Sequence, residues 1–107
     1  MNFVLVLTTT SSEGQAGVLA RSIVEAELAA CVHLQPIRSI YRWKGTVCDE
    51  PEWRLVVKTT AERYEALEHH IKERHSYETP EIVRFEIDGG STEFLRWIGE
   101  SVGPGTS

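Results

Sequence analysis

The sequence predicts an α+β domain of the ferredoxin-like kind, in the order β-α-β-β-α-β, with an extra C-terminal helix and a long hairpin between the second and third strands. Three observations carry this expectation. Apolar residues run unbroken from Phe3 to Leu7, as in a central strand covered on both sides. Two segments with helically spaced apolar residues follow strand-like runs, one after Ser12 and one after Thr59. Between them, Ala29 to Thr59 has no helical period and holds two strand-like arms about Lys44-Gly45. In the split βαβ arrangement, two helices cover one face of a four-stranded antiparallel sheet. The other face is apolar too, and the expected cover is a neighbouring sheet.

The first strand is placed at Asn2 to Thr10. Ser12-Glu13-Gly14-Gln15 then reads as a capping box, in which the hydroxyl meets an orphan amide and Gln15 reaches back. The helix it opens runs to about Leu28, with Ala16, Leu19, Ala20, Ile23 and Val24 as its buried stripe.

The hairpin arms are Cys31 to Trp43 and Thr46 to Thr59, the second interrupted by the polar run Asp49-Glu50-Pro51-Glu52. An arm of about thirteen residues rising ~3.3 Å each is roughly 40 Å long. A compact chain of this length has a radius of gyration near ~13 Å and a diameter of roughly 33 Å. The ribbon is therefore expected to overhang its own domain. Its tip carries Tyr41, Trp43 and Val47, and a lone two-stranded ribbon is marginal in water, so another subunit is expected to cover it. Pairing about the turn sets Cys31 opposite Lys58 and Tyr41 opposite Cys48. Pro36, with no amide to donate, is expected to mark a bulge that shifts this register by one.

After the hairpin, Thr59-Thr60-Ala61-Glu62 reads as a second capping box, opening a helix to about His75 with Tyr64, Leu67 and Ile71 inward. Glu62, Glu65, Glu68 and Lys72 fall on its wet side. A polar connection, His75 to Glu81, leads to the last strand, Ile82 to Ile87, where Val83, Phe85 and Ile87 alternate with Arg84 and Glu86; the first set is expected to face inward. Asp88-Gly89-Gly90 is a turn, and Ser91 caps a short helix bearing Phe94, Leu95, Trp97 and Ile98. Residues 1–102 thus form one domain, and Gly103 to Ser107 are expected to be a disordered tail.

The chain has 107 residues, enough for one core, and a formal charge of -5. That balance argues against a nucleic-acid backbone as its main partner. No apolar run approaches the ~18 residues that span a bilayer, so no membrane partner is expected. Met1 leads straight into a strand with no leader pattern, and a cytoplasmic location is expected. Cys31 and Cys48 lie at opposite ends of the hairpin, which makes an intrachain disulfide unexpected.

Fold alone leaves the chemistry open. The strands lack the basic, aromatic signature of RNA readers. Thr8 to Ser12 has hydroxyls but no Gly-Lys-Ser phosphate loop, and reads as a capped turn. Metal-ligand candidates are Cys31, Cys48, His33, His69, His70 and His75, with neither Cys-x-x-Cys nor His-Glu-x-x-His spacing among them. His69 and His70 point roughly 100° apart on their helix and read as solvated residues. His75, Tyr77, Glu78 and Glu81 crowd into a connection with no core to build, and Lys58 ends an otherwise apolar strand. Such groups suit a small polar ligand or an ion. No activated nucleophile with an adjacent base is readable, so no enzyme is expected.

Several of these stretches, in order, resemble the CutA family of divalent-cation-tolerance proteins. They are Ala29-Ala30-Cys31-Val32, Pro36, Ser39 through Gly45, Glu52 through Thr59, His75-Ser76-Tyr77-Glu78-Thr79-Pro80-Glu81 and Phe94-Leu95-Arg96-Trp97. The resemblance spans Phe3 to about Val102. It implies a ferredoxin-like homotrimer knitted by its long hairpins, with an architecture like that of the PII signalling proteins. It also implies divalent-cation, chiefly copper (Cu2+), binding and ligand clefts between subunits, with no tightly bound cofactor. The chain has Thr8 where some family members have a cysteine, and Arg74-His75 where some have a His-His pair. Three further positions depart from the family pattern, His33 for asparagine, Ser76 for proline and Phe94 for tyrosine. The metal residues expected are His75 and, second, Cys31; the expected cleft residues are Lys58, Tyr77, Glu78, Glu81 and Trp43. The alternative is a signalling or scaffold module that senses a small ligand or a partner protein at the cleft.

Overall fold

The computed structural model describes residues 1–104. Four strands, β1 (Phe3–Thr10), β2 (Cys31–Trp43), β3 (Thr46–Thr60) and β4 (Val83–Ile87), form one antiparallel sheet in the order β2-β3-β1-β4. Helices α1 (Glu13–Glu25) and α2 (Tyr64–Arg74) lie on one face. The core between them and the sheet is built from Val4, Val6, Leu55 and Val57 below and Ala16, Leu19, Ile23, Leu67 and Ile71 above. Strand alternation puts Phe3, Leu5 and Leu7 on the opposite face. Across the ladders, Val56 and Lys58 share that face with them, as do Val83, Phe85 and Ile87. Helix α3 (Thr92–Ser101) packs on this second side. Lys58 Nζ lies 5.6 Å from the Phe94 ring centroid, and the Gly99 backbone comes so near Phe3 and the Met1 sulfur that a Cβ would stand 3.1 Å from the latter.

The β2–β3 ribbon makes the molecule long: its principal extents are 43 × 26 × 23 Å. Ile40, Tyr41, Trp43 and Val47 are exposed along its outer half, as the overhang requires. The two-residue turn has Lys44 at φ 51° and Gly45 at φ 82°, the paired left-handed conformation whose twist matches the strands it joins. The register runs without a break from Trp43↔Thr46 to Cys31↔Lys58, with Tyr41 opposite Cys48. The bulge expected at Pro36 is therefore absent. Counting in twos from the bonded pair that closes the turn, Pro36 falls opposite Trp53 in a pair that exchanges no backbone bonds. Its nitrogen points off the sheet edge, where no donor is required.

Local expectations met mixed outcomes. Ser12 caps α1 by accepting from the Gln15 amide at 3.1 Å, but the Gln15 side chain accepts from Ser11 Oγ instead of reaching back. The helix stops at Glu25, before the expected Leu28, and the backbone turns at Glu27 with φ 58°. Val24, expected in the stripe, is exposed. The second capping box does not form. Thr59 is buried and its hydroxyl donates to the Leu28 carbonyl at 2.7 Å, so the chain enters α2 through a 3-10 turn, Ala61–Arg63, with no side-chain cap. Ser91 caps α3 through the Phe94 amide at 3.1 Å.

Strand β4 reverses its expected faces. Arg84 and Glu86 stand on the helix side, paired to each other at 2.7 Å with Arg84 over the Tyr64 ring. Val83 and Phe85 lie on the second face, and Phe85 is 54% exposed in the single chain. Of the expected tail, Gly103 and Pro104 are tied down: the Gly103 amide donates to the Glu27 carbonyl at 2.9 Å and Arg63 to that of Pro104 at 2.8 Å. The rest, 105–107, lies outside the described residues. No helix among those described is long and apolar enough to cross a membrane.

Candidate functional site

The polar connection after α2 folds back over the end of β1 and faces the ribbon. His75 fixes it there. Its Nε2 donates to the Thr9 carbonyl at 2.7 Å, and its Nδ1 accepts from the Tyr77 amide at 3.0 Å. Both ring nitrogens are thus committed, and the tautomer is set by the two partners. The Tyr77 ring packs against His75 with centroids 4.8 Å apart, and its phenol donates to Glu52 Oε2 at 2.6 Å. Burial first, and the Glu52 carboxylate second, hold the Tyr77 phenol far above the ordinary tyrosine range.

Along the ribbon, Tyr41 donates to Glu50 at 2.6 Å, which with burial pushes its phenol up to about 12. Arg38 makes a bidentate contact with Asp49 at 2.8 and 2.7 Å. Lys44 approaches Glu78 at 3.7 Å, joining the ribbon tip to the loop. Between loop and ribbon lies an open groove of about 800 Å³ whose lining includes Trp43, Glu52, Arg54, Tyr77, Glu78 and Glu81.

The CutA1 divalent ion tolerance family model matches residues 4–101. The chain belongs to this family. The divalent-cation tolerance protein CutA of Thermus thermophilus is 43% identical over 100 residues, covering 92% of this chain and 97% of that one. Its counterpart from Archaeoglobus fulgidus is 38% identical, covering 94% of this chain and 97% of its own. Among solved structures, the T. thermophilus Cut A1 protein superposes with a TM-score of 0.91 at 42% identity, covering 94% and 99% of the two chains. A structure described as periplasmic CutA from A. fulgidus gives 0.92 at 36%, with the same coverage.

Of the cleft residues expected for a CutA chain, the groove gathers Trp43, Tyr77, Glu78 and Glu81. Lys58 is elsewhere. It lies at the level of Leu5 on the second sheet face, 3.3 Å from His33 Nδ1 and over Phe94. The two expected metal residues are also apart in the single chain. Cys31 lies level with Leu5 but two strands across, while His75 is bound four residues further along β1, an offset of roughly 13 Å along the strands alone at ~3.3 Å per residue. Cys31 Sγ instead meets His33 Nε2 at 3.5 Å. Among the described residues, no three His, Cys, Asp or Glu side chains converge as a metal site.

The other histidines divide. His69 is exposed and pairs with Glu73 at 3.2 Å. His70, expected to be solvated, is buried: it meets Ser22 Oγ at 2.9 Å, and since that hydroxyl donates to the Leu19 carbonyl, His70 Nε2 is the donor. Sequence reasoning missed Glu52 and Arg54 as groove residues. The available signal was the run Glu50, Glu52, Arg54 at every second position, since it places all three on one face of β3.

Proposed function

We propose that this CutA-family chain acts as a cytosolic homotrimer that binds a divalent cation, copper foremost, weakly at the boundaries between subunits, in support of cation tolerance. The observation that carries this reading is the incompleteness of the single chain. An aromatic-tipped ribbon and the part of the second sheet face that bears Val83 and Phe85 both stay exposed in the single chain, and the groove along the ribbon offers carboxylates without a closed donor set among the described residues. A second subunit supplies what is missing. His75 enters this reading as the anchor of the loop, since a metal reaches either ring nitrogen only after a bond to Thr9 or Tyr77 opens. Glu78 and Glu81 are the proposed donors within one chain. Oxygen donors bind copper less tightly than thiolate and imidazole sets do, which fits weak binding.

Sedimentation and calorimetry test it. A trimer in dilute neutral buffer, and a copper isotherm lost in the Glu78→Gln/Glu81→Gln double variant, are the expected results. A monodisperse monomer, or an isotherm that the double substitution leaves unchanged, rejects the reading.

A second reading is favoured by the groove itself: a sensor or scaffold of PII-like design that takes a small ligand or a partner protein. A volume of about 800 Å³ falls in the ~300–1,000 Å³ range of small-molecule pockets, far more than one ion needs. Metal-independent retention of a metabolite from extract, with chelator present, distinguishes it.

A further inference from the structure

We infer that Asp88 is a site of self-modification: its carboxyl closes on the Gly89 amide and rearranges to isoaspartate, which loosens the seat of α3. The chain has two aspartates, Asp49 and Asp88, and one asparagine, Asn2. Their settings differ. Asp49 lies inside β3, held by Arg38 through bonds of 2.8 and 2.7 Å. The amide that follows it, Glu50, falls in a bonded rung with Ser39 by the count in twos from the turn. Asn2 is followed by the bulky Phe3, within the central strand. Asp88, Gly89 and Gly90 are all exposed and belong to no helix or strand. Among the described residues, neither the Asp88 carboxylate nor the Gly89 amide has a hydrogen-bond partner. The connection also lies clear of the ribbon. Phe3↔Ile87 is the last rung between β1 and β4, at the end of the sheet opposite the one from which the ribbon extends, and Asp88 follows it.

The reaction needs an amide nitrogen that is not already bonded and a following residue without a side chain to crowd the approach. Gly89 supplies both. Its nitrogen attacks Asp88 Cγ: the N–Cγ bond forms, a Cγ–O bond breaks, and the amide proton and the carboxyl hydroxyl leave together as water. Water then opens the cyclic imide at one of its two carbonyls. Attack at Cγ restores aspartate. Attack at the former backbone carbonyl breaks its bond to nitrogen, so the main chain now runs through Cγ and the α-carboxylate becomes the side group. That adds a methylene to the short connection 88–90 between the Ile87 rung and the Ser91 cap. The connection has little slack. A Cβ on Gly90 would stand 3.4 Å from the Leu95 side chain, and Ser91 Oγ accepts from the Phe94 amide at 3.1 Å. A longer main chain displaces one or the other, and α3 loses part of its cap.

Ageing the folded, full chain in heavy-oxygen water, followed by peptide mapping, tests this. Isoaspartate is read as uptake of heavy oxygen together with loss of cleavage by a protease specific for aspartate. It is expected to form at Asp88 at least about tenfold faster than at Asp49. Gly89→Ala is the control: a Cβ there meets nothing within 4 Å and the φ is not left-handed, so the fold is kept and the reaction is expected to slow several-fold. Asp88→Asn is expected to speed it, with ammonia leaving in place of water. In the separated isomerised chain, the α3 amides are expected to exchange with solvent faster than in the parent. Equal rates at Asp88 and Asp49, a rate unchanged in Gly89→Ala, or isoaspartate that forms only after unfolding overturns the inference. Equal α3 exchange in the isomerised and parent chains refutes the loosening. Copper and small-ligand titrations are independent of every one of these outcomes.

Discussion

The Tyr77 phenol donates a 2.6 Å hydrogen bond to Glu52, a carboxylate only 8% exposed, and so ties the loop after α2 to the middle of β3. Tyr77→Phe keeps the ring on His75 but leaves the carboxylate short of a donor. A loss of about 1–3 kcal/mol is expected. Urea unfolding at a fixed protein concentration measures it, and a change below about 0.5 kcal/mol would show that water replaces the phenol at no cost.

All three tyrosines hold their protons more tightly than usual. Glu50 does this chiefly for Tyr41, while burial leads for Tyr64 and Tyr77. An alkaline titration followed by near-ultraviolet absorbance is expected to show the phenolate step displaced upward from ~10, where free tyrosine ionises. Because the folded values lie above the unfolded one, this contribution to stability is complete below pH ~10 and declines as pH rises past it. A full tyrosine step near ~10 in the folded protein contradicts it.

His70 works in the opposite direction. Burial, assisted by the nearby Arg74 charge, lowers its affinity for a proton, while Glu73 opposes the shift. The unfolded chain takes up that proton first, at about pH 6.5. Stability is therefore complete above pH ~6.5 and falls as pH drops through the window below it. Comparing unfolding midpoints at neutral and mildly acidic pH checks this. His70→Gln is expected to flatten the slope there, and an identical slope in the variant would assign the acid loss to other groups.

Thr8 Oγ1 is fully buried on the helix side of β1 and has no hydrogen-bond partner among the described residues. Thr8→Val replaces the hydroxyl by a methyl of similar size in an apolar setting. The variant is expected to match the parent or exceed it by about 1 kcal/mol. A loss greater than about 1 kcal/mol, read by the same urea titration, would reveal a partner such as buried water.

Much of the fold was legible because apolar spacing and turn chemistry are local. Phe3 to Leu7, the Lys44-Gly45 turn and the Ser12 and Ser91 caps were read directly from neighbouring residues. What escaped was set by distant contacts. Thr59 looked like a cap until the Leu28 carbonyl claimed its hydroxyl, and His70 looked wet until Ser22, 48 residues away, met it. At the groove, the loop residues announced themselves by polarity in a place with no core. Glu52 and Arg54 were hidden inside a strand, where only the register shows that they share a face with Ile37 and Tyr41. His75 was visible as a special residue, yet its use of both nitrogens depends on a carbonyl 66 residues earlier in the chain.

Pro36 sits midway along a border strand and offers no amide proton to anything arriving from outside. An incoming strand finds a gap in the middle of its template, with room for only a few bonds on either side. Open-ended stacking into fibrils along that border is thereby discouraged.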